Sequence, residues 1–300
     1  MEHKNSIKYS RRSFIEQSAK ACCYMGVSTL LLSHLTGNVN FAEARHLKNK
    51  RVMAGKANAL EGFEPSYLKL HESGELEKRA EALWEIMRSC RLCPRQCGVN
   101  RRRGSSGFCR APGRQLYISS ATPHFGEERP LVGRGGSGTV FFTHCNLRCV
   151  FCQNWEISQL GRGEQRSVRD LAHMMLELQR IGCHNINLVT PTHYSALILQ
   201  ALDRACSQGL RLPVVYNTCG WERMEILEIL DGIVDIYLPD FKFWDSERSI
   251  EFTSGAENYP EITKKAILEM HRQVGVAKPN DQGIMERGLM IRHLVMPNET

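Results

Sequence analysis

The chain has 300 residues, 42% hydrophobic and 24% charged, a balance that suits one large globular domain or two modest ones. No run approaches the roughly 18 uninterrupted apolar residues of a membrane span, and a net charge of +7 with no recognition fold around its basic runs gives nucleic-acid binding no footing. Twelve cysteines are many for this length, and seven of them stand in two tight groups, which favours metal over disulfides.

The N-terminus reads Ser10-Arg11-Arg12-Ser13-Phe14-Ile15, a paired-arginine pattern that resembles a twin-arginine export signal. A moderately apolar run from Ala21 to Leu35 follows, and Ala42-Glu43-Ala44 reads as a small-x-small cleavage site. Residues 1–44 are expected to be a signal peptide directing export to the periplasm or cell envelope; the alternative is an unprocessed amphipathic extension. They carry five Lys/Arg and three Asp/Glu, which leaves +5 for the remainder. Cys22 and Cys23 lie inside the apolar run and read as small apolar residues there. Residues 45–65 are charged and lack apolar periodicity, as a linker does.

Residues 66–138 read as an N-terminal cysteine-rich region. Leu76, Ala80, Leu83 and Met87 share one face at helical spacing, so a helix is expected from Leu76 to Met87. Next comes CRLCPRQCGVNRRRGSSGFCR, in which Cys90, Cys93, Cys97 and Cys109 are spaced C-x2-C-x3-C-x11-C. Pro94, Gly98, Gly104 and Gly107 supply the turns of a loop wrapped around something. Four thiolates can close around zinc or a second iron–sulfur cubane, and a site so closed is structural or an electron relay. A disulfide framework is the alternative. Arg101-Arg102-Arg103 within this loop reads as a solvated basic run. Gln115–Ile118 reads as a short strand. His124, Glu127 and Glu128 precede a glycine-rich turn over 133–138, which lacks the Lys-Ser/Thr of a phosphate loop and reads as a flexible approach to a strand.

From residue 139 strands and helices alternate. The expected strands are 139–143, 185–190, 213–216, 234–238 and 289–296; the expected helices run from 167 until Gly182 closes the first, then over 195–207, 222–230 and about 260–274. Ser167-x-x-Asp170 is a capping-box start for a helix whose apolar face is Leu171, Met174, Met175 and Leu178. Gly182, Gly209 and Gly275 stop three of the helices. Such alternation makes an α/β fold with a parallel sheet, open or closed into a barrel. Chemistry in these folds gathers at the C-terminal ends of strands, and polar groups stand there. They are the cysteines after the first strand, Thr190-Pro191-Thr192-His193 after the second, Asn217-Thr218-Cys219-Gly220 after the third, Asp240-Phe241-Lys242 after the fourth, and Arg292 within the fifth.

The first strand runs into CNLRCVFCQNW, residues 145–155, where Cys145, Cys149 and Cys152 are spaced C-x3-C-x2-C. Three thiolates leave one iron of a [4Fe–4S] cubane open to chemistry, whereas a zinc site wants four protein ligands. The spacing and its surrounding residues resemble the radical S-adenosylmethionine (SAM) superfamily, and among it homologues of the pyruvate formate-lyase activating enzyme, over about residues 85–300. The resemblance implies a partial (β/α) barrel over 139–300. It also implies a [4Fe–4S] cluster on Cys145, Cys149 and Cys152, and SAM cleaved reductively to a 5′-deoxyadenosyl radical that abstracts hydrogen from substrate. Phe151 is expected to shelter the cluster, with its backbone near adenine. Asp240 and Lys242 match the activases' D-x-K motif, and Lys242 and Arg292 would meet the methionine carboxylate. Asn217-Thr218-x-Gly220 is similar to their D-T-N-G turn, with one negative charge fewer for the cation held there. Thr190 and the residues after it replace the Gly-Gly-Glu run that receives the SAM amino group. A sixth strand implied by the resemblance is not found before Thr300.

Implied partners are a flavodoxin- or ferredoxin-like one-electron donor and, as substrate, a glycyl-radical enzyme or another protein. SAM chemistry favours the cytoplasm, against the export signal. The alternatives are radical modification of a small molecule or peptide, and a non-catalytic iron–sulfur electron carrier. Cys183 and Cys206 read as core thiols, His144 as packing, and His193 and Cys219 as groups at the pocket mouth.

Overall fold

The structure is a computed structural model, and it describes residues 62–295. The expected signal peptide, its Cys22 and Cys23, most of the 45–65 linker, and residues 296–300 lie outside the described residues.

Two helices open the described chain, α1 (Tyr67–Glu72) and α2 (Glu75–Ile86). Leu76, Ala80 and Leu83 are buried on α2 as their spacing requires, with Met87 just beyond it. The cysteine-rich loop leads to β1 (Leu116–His124), a one-turn α3 (Arg129–Val132) and β2 (Ser137–Phe142). The order continues α4 (Trp155–Ser158), β3 (Glu164–Arg166), α5 (Val168–Arg180), β4 (Ile186–Val189), α6 (Ser195–Cys206), β5 (Val214–Thr218), α7 (Met224–Leu230) and β6 (Ile236–Pro239). It closes with α8 (Ser246–Phe252), α9 (Tyr259–Val274), β7 (Lys278–Pro279) and β8 (Met285–Leu289).

One eight-stranded sheet results, in the order β3-β1-β2-β4-β5-β6-β8-β7. The run β2-β4-β5-β6-β8 is parallel, while β1, β3 and β7 pair antiparallel at its margins. This is a mixed α/β fold with the partial (β/α) barrel architecture. The capping box forms as expected: Ser167 Oγ accepts from Asp170 N (3.1 Å), and Asp170 Oδ2 accepts from Ser167 N (2.8 Å). Core residues of the helices, among them Leu171, Met175, Ala196, Leu202, Ile226 and Leu230, pack against Val140, Ile186, Leu188 and Tyr216 of the sheet. A separate apolar group of Leu131, Val215, Ile236, Leu238 and Met285 brings α3 against the alternate residues of β5 and β6.

The fifth parallel strand corrects the reading from sequence. It spans Met285–Leu289, not 289–296, and Arg292 lies beyond it in an isolated parallel bridge with Asp240. The cause is Gly288, at φ +123°, where a Cβ would stand 2.4 Å from Val276 O and 2.6 Å from Ala277 Cα. Two segments of the chain meet there at a separation only glycine permits, which sets the strand in a stretch of mixed polarity rather than in the more apolar run after it. β1 is also longer than expected and includes His124.

Candidate active site

The cysteine loop leaves β2 through His144 and turns again at Arg148, both in the left-handed region (φ +69° and +55°). Two such residues outside glycine mark a loop held in shape by its surroundings. The turn aims Leu147 N at Cys145 Sγ, 3.4 Å away. Leu147, Cys149, Phe243, Phe252 and Tyr259 bury the inner side of the loop, and Phe151 sets its ring edge-on to Phe243 (centroids 5.9 Å). Val150 N donates to Phe252 O (2.9 Å), so α8, which the sequence reading missed, is the wall that the loop leans on.

Facing this loop is a linked set of charges. Lys242 Nζ donates to Asp240 Oδ2 (2.5 Å), and Arg292 Nε donates to Asp240 Oδ1 (2.6 Å). Arg292 Nη2 donates to Asn217 Oδ1 (3.0 Å), and its Nη1 faces Glu128 Oε1 (3.5 Å) and Glu127 Oε2 (3.7 Å). Burial alone would push the Asp240 carboxyl up, but Lys242 and Arg292 more than offset it and hold it below the usual range. Burial likewise opposes the charge on Lys242, and Asp240 and Cys149 reverse that, so its ammonium is held protonated. Burial pushes the Cys149 thiol up, and Lys242 is the largest influence against it. The cation therefore lies within electrostatic reach of the cysteine loop. Burial and then Glu128 raise the Glu127 carboxyl to about 7.

Tyr259 ties the strand ends together. Its hydroxyl bridges toward the carbonyls of Cys219 and Asp240 (2.9 Å each) and accepts from Lys242 N (2.9 Å). Gly220 makes this approach possible: at φ +80°, a Cβ there would stand 2.2 Å from Asp240 O. Thr190 sits at the end of β4 with φ +58°, its N–H on Asn217 O (2.8 Å). Cys145, Cys149, Cys152, Phe151, Thr190, Asn217, Asp240, Lys242 and Arg292 thus gather at the C-terminal ends of the parallel strands.

His193 is not at the mouth. It is buried, its Nε2 on Thr143 O (2.8 Å), and burial followed by the Arg101 charge lowers it to about 3. Arg101 is fully buried rather than solvated, and donates to His193 O (2.6 Å) and Pro112 O (3.0 Å). Several residues of the site were not singled out from sequence: Asn146 within the cysteine string, and, outside any motif, Glu127, Glu128, Tyr259 and Glu222, which is buried and accepts from the hydroxyls of Thr192 and Thr218. The adjacent glutamates were visible as a pair, but nothing local tied them to Arg292.

The four-cysteine loop packs beside this site. Cys90, Cys93 and Cys109 are buried, Phe108 N donates to Cys97 Sγ (3.3 Å), and Cys90 and Cys97 both act on the Cys109 thiol. Arg95, from within the loop, donates to Asn146 O (3.1 Å), Thr253 O (3.1 Å) and Gly255 O (3.3 Å), and stacks on Phe108 and Trp221. All ten described cysteines are free, so the disulfide alternative finds no support among them.

Among the described residues, no three His, Cys, Asp or Glu side chains close round one point that could hold a metal ion. A lone zinc ion needs its ligands around a single centre, whereas the thiolates of a cubane each bind a separate iron. Cys145, Cys149 and Cys152 fit the cubane: three thiols on one loop, a backbone N–H already on one sulfur, and a lysine to balance their charge. No helix among the described residues is long and apolar enough to cross a membrane.

Comparison with known proteins agrees with this geometry. Residues 139–300 match the model of the Radical SAM superfamily. An uncharacterized protein of Methanocaldococcus jannaschii is 35% identical over 231 residues, 74% of this chain. The chain spans 61% of that relative's length.

Proposed function

The chain belongs to the radical SAM superfamily, and from that premise we propose that Cys145, Cys149 and Cys152 would hold a [4Fe–4S] cluster that works with SAM. The superfamily implies an enzyme that works with such a cluster and SAM. When bound, the two supply one-electron cleavage of a sulfonium and a 5′-deoxyadenosyl radical that takes hydrogen from substrate. The chain's own part is position, charge and dryness. Lys242 offers a protonated ammonium to the methionine carboxylate, and Arg292 a planar fork. Asp240 spaces these two cations and keeps them oriented. Phe151, Phe243 and Phe252 wall the cysteine loop from water.

The observation that carries this reading is the Lys242–Asp240–Arg292 clamp facing Cys149 across the strand ends. A simple electron carrier has no use for a carboxylate-binding clamp beside its cluster. Under anaerobic reduction the cluster-loaded protein should turn SAM into 5′-deoxyadenosine and methionine; a carrier would release neither.

The finer reading is an activating enzyme similar to that of pyruvate formate-lyase, drawing electrons from a flavodoxin- or ferredoxin-like donor and abstracting hydrogen from a glycine of a partner enzyme. CNLRCVFCQNW, Asp240-x-Lys242 and Arg292 support it. Thr190-Pro191-Thr192 in place of the activases' Gly-Gly-Glu favours the second reading, radical modification of a small molecule or peptide. A glycyl-radical signal in a co-incubated partner would separate the two. Cys90, Cys93, Cys97 and Cys109 are read as a closed second site, structural or an electron relay.

A further inference from the structure

The segment from Met87 to Gly126 carries eight arginines and not one aspartate, glutamate or lysine. It runs through the four-cysteine loop and into β1. That strand is antiparallel to β2, so it begins at the end of the sheet where the three-cysteine loop leaves. Half of these arginines are already engaged. Arg95 and Arg101 donate to backbone carbonyls, and Arg88 and Arg102 face Glu85. Arg91, Arg103, Arg110 and Arg114 are exposed, and none has a carboxylate partner among the described residues.

Arg110 lies beside Arg148 of the three-cysteine loop. Burial and then the Arg110 charge both oppose the charge on Arg148, and no carboxylate acts on it; what favours it is the sulfurs of Cys145 and Cys109. Arg148 stands over the Phe108 ring (5.9 Å), and its Nη1 is buried without a hydrogen-bond partner. Both arginines hold left-handed backbone, Arg110 at φ +62°, a strained conformation for a side chain of this kind. Two cations that nothing neutralises thus meet at the seam between the cysteine loops, one group of sulfurs on each side.

A surface of one sign draws in a partner of the other and speeds its encounter. A single-stranded nucleic acid also wants open aromatic faces on which its bases stack. Phe108, the ring at the seam, is already covered by Arg95 (3.8 Å) and Arg148. What the seam offers is positive charge beside two groups of cysteines, which suits an acidic protein that brings an electron.

We propose that the arginine seam centred on Arg110 and Arg148, with Arg114 at its edge, is the docking surface for an acidic one-electron donor protein. The idea rests on the three-cysteine loop holding the cluster that receives the electron. In the exchange the donor loses one electron and the cluster gains one, passing from its 2+ to its 1+ state. The four-cysteine loop then serves as the platform on which the donor sits.

Anaerobic stopped-flow reduction of the reconstituted protein by a reduced, acidic flavodoxin tests this, with calorimetric binding of the oxidised flavodoxin as a second readout. Wild-type binding should weaken as salt rises. Arg110→Glu combined with Arg114→Glu should slow cluster reduction about tenfold or more at low salt and weaken binding in step, while SAM cleavage driven by dithionite keeps its wild-type rate. Arg204→Glu should change neither: it is exposed near the end of α6, which runs back toward the opposite ends of the strands. Equal reduction by flavodoxin in all three proteins overturns the proposal. So does a double variant slowed as much with dithionite as with flavodoxin, or a single-stranded oligonucleotide that binds the seam more tightly than flavodoxin and displaces it. Absence of dithionite-driven cleavage in the wild type instead overturns the reading beneath, while the binding readout, which needs no turnover, still decides this one.

Discussion

The two cysteine loops lie side by side and share small spacings, yet their surroundings differ. The loop of Cys145, Cys149 and Cys152 leaves a parallel strand and faces Lys242, Asp240 and Arg292. The loop of Cys90, Cys93, Cys97 and Cys109 faces no such clamp. Burial pushes its Cys93 thiol up to about 12, and its nearest cations, Arg95 and Arg101, spend their hydrogen bonds on backbone carbonyls. Spacing alone suggests a metal for both; what stands opposite each loop is where they differ, and the proposed roles, reactive for one and closed for the other, rest on that difference.

The largest expected effect tests that separation directly. Cys149→Ala should remove SAM cleavage to background and take a cluster's iron with it. Cys93→Ala should keep cleavage when a small chemical reductant replaces the natural donor. Measured 5′-deoxyadenosine release and iron content check both, and the reverse pattern would break the comparison. Next come the clamp residues. Removing a charged hydrogen-bond partner costs about 1.5–3 kcal/mol, so Lys242→Ala and Arg292→Ala should each weaken SAM binding roughly 10- to 100-fold while the cluster remains. Equilibrium binding to the reconstituted, oxidised protein measures this.

Arg95 joins the two loops through three carbonyl bonds. Arg95→Ala should lower stability by about 2–4 kcal/mol in chemical denaturation and blur the distinction between the loops. The smallest effect concerns Glu222. Burial raises its carboxyl from 4.5 to about 7, so the folded protein keeps a proton that the unfolded chain loses. Stability therefore falls as pH rises across that window. Glu222→Gln lacks the fall: it should match the wild type below pH 4.5 and exceed it above pH 7 by at most roughly 3 kcal/mol. A variant no more stable than the wild type at high pH would show that the carboxylate is compensated where it sits.

Much of this architecture could be read from residues alone. Four of the parallel strands and the helices between them follow from apolar runs punctuated by Gly182 and Gly209, and the three-cysteine spacing names its own chemistry. The misplaced strand had a reason: Arg287 and Gly288 make Met285–Leu289 look less like a strand than the run after it, and the close pass of Val276 that demands Gly288 leaves no local trace. α8 carried a signal that went unread, Asp245 capping Arg248 N (3.0 Å). The clamp was partly legible, because Asp240 and Lys242 follow a strand end, although Arg292 was read inside the last strand rather than beyond it. Glu128 meets Arg292 across 164 residues, and Asn146 meets Cys219 across 73. Pairings at such separations belong to the fold and have no periodicity to betray them.

The central claim is that the three-cysteine loop carries a cubane with an iron that SAM can reach. The electron paramagnetic resonance spectrum of the reduced, anaerobic protein, recorded before and after SAM is added, tests it most directly. A cubane signal that shifts with SAM, and shifts less at the same concentration in Lys242→Ala, is the predicted result. A cubane signal indifferent to SAM would contradict it.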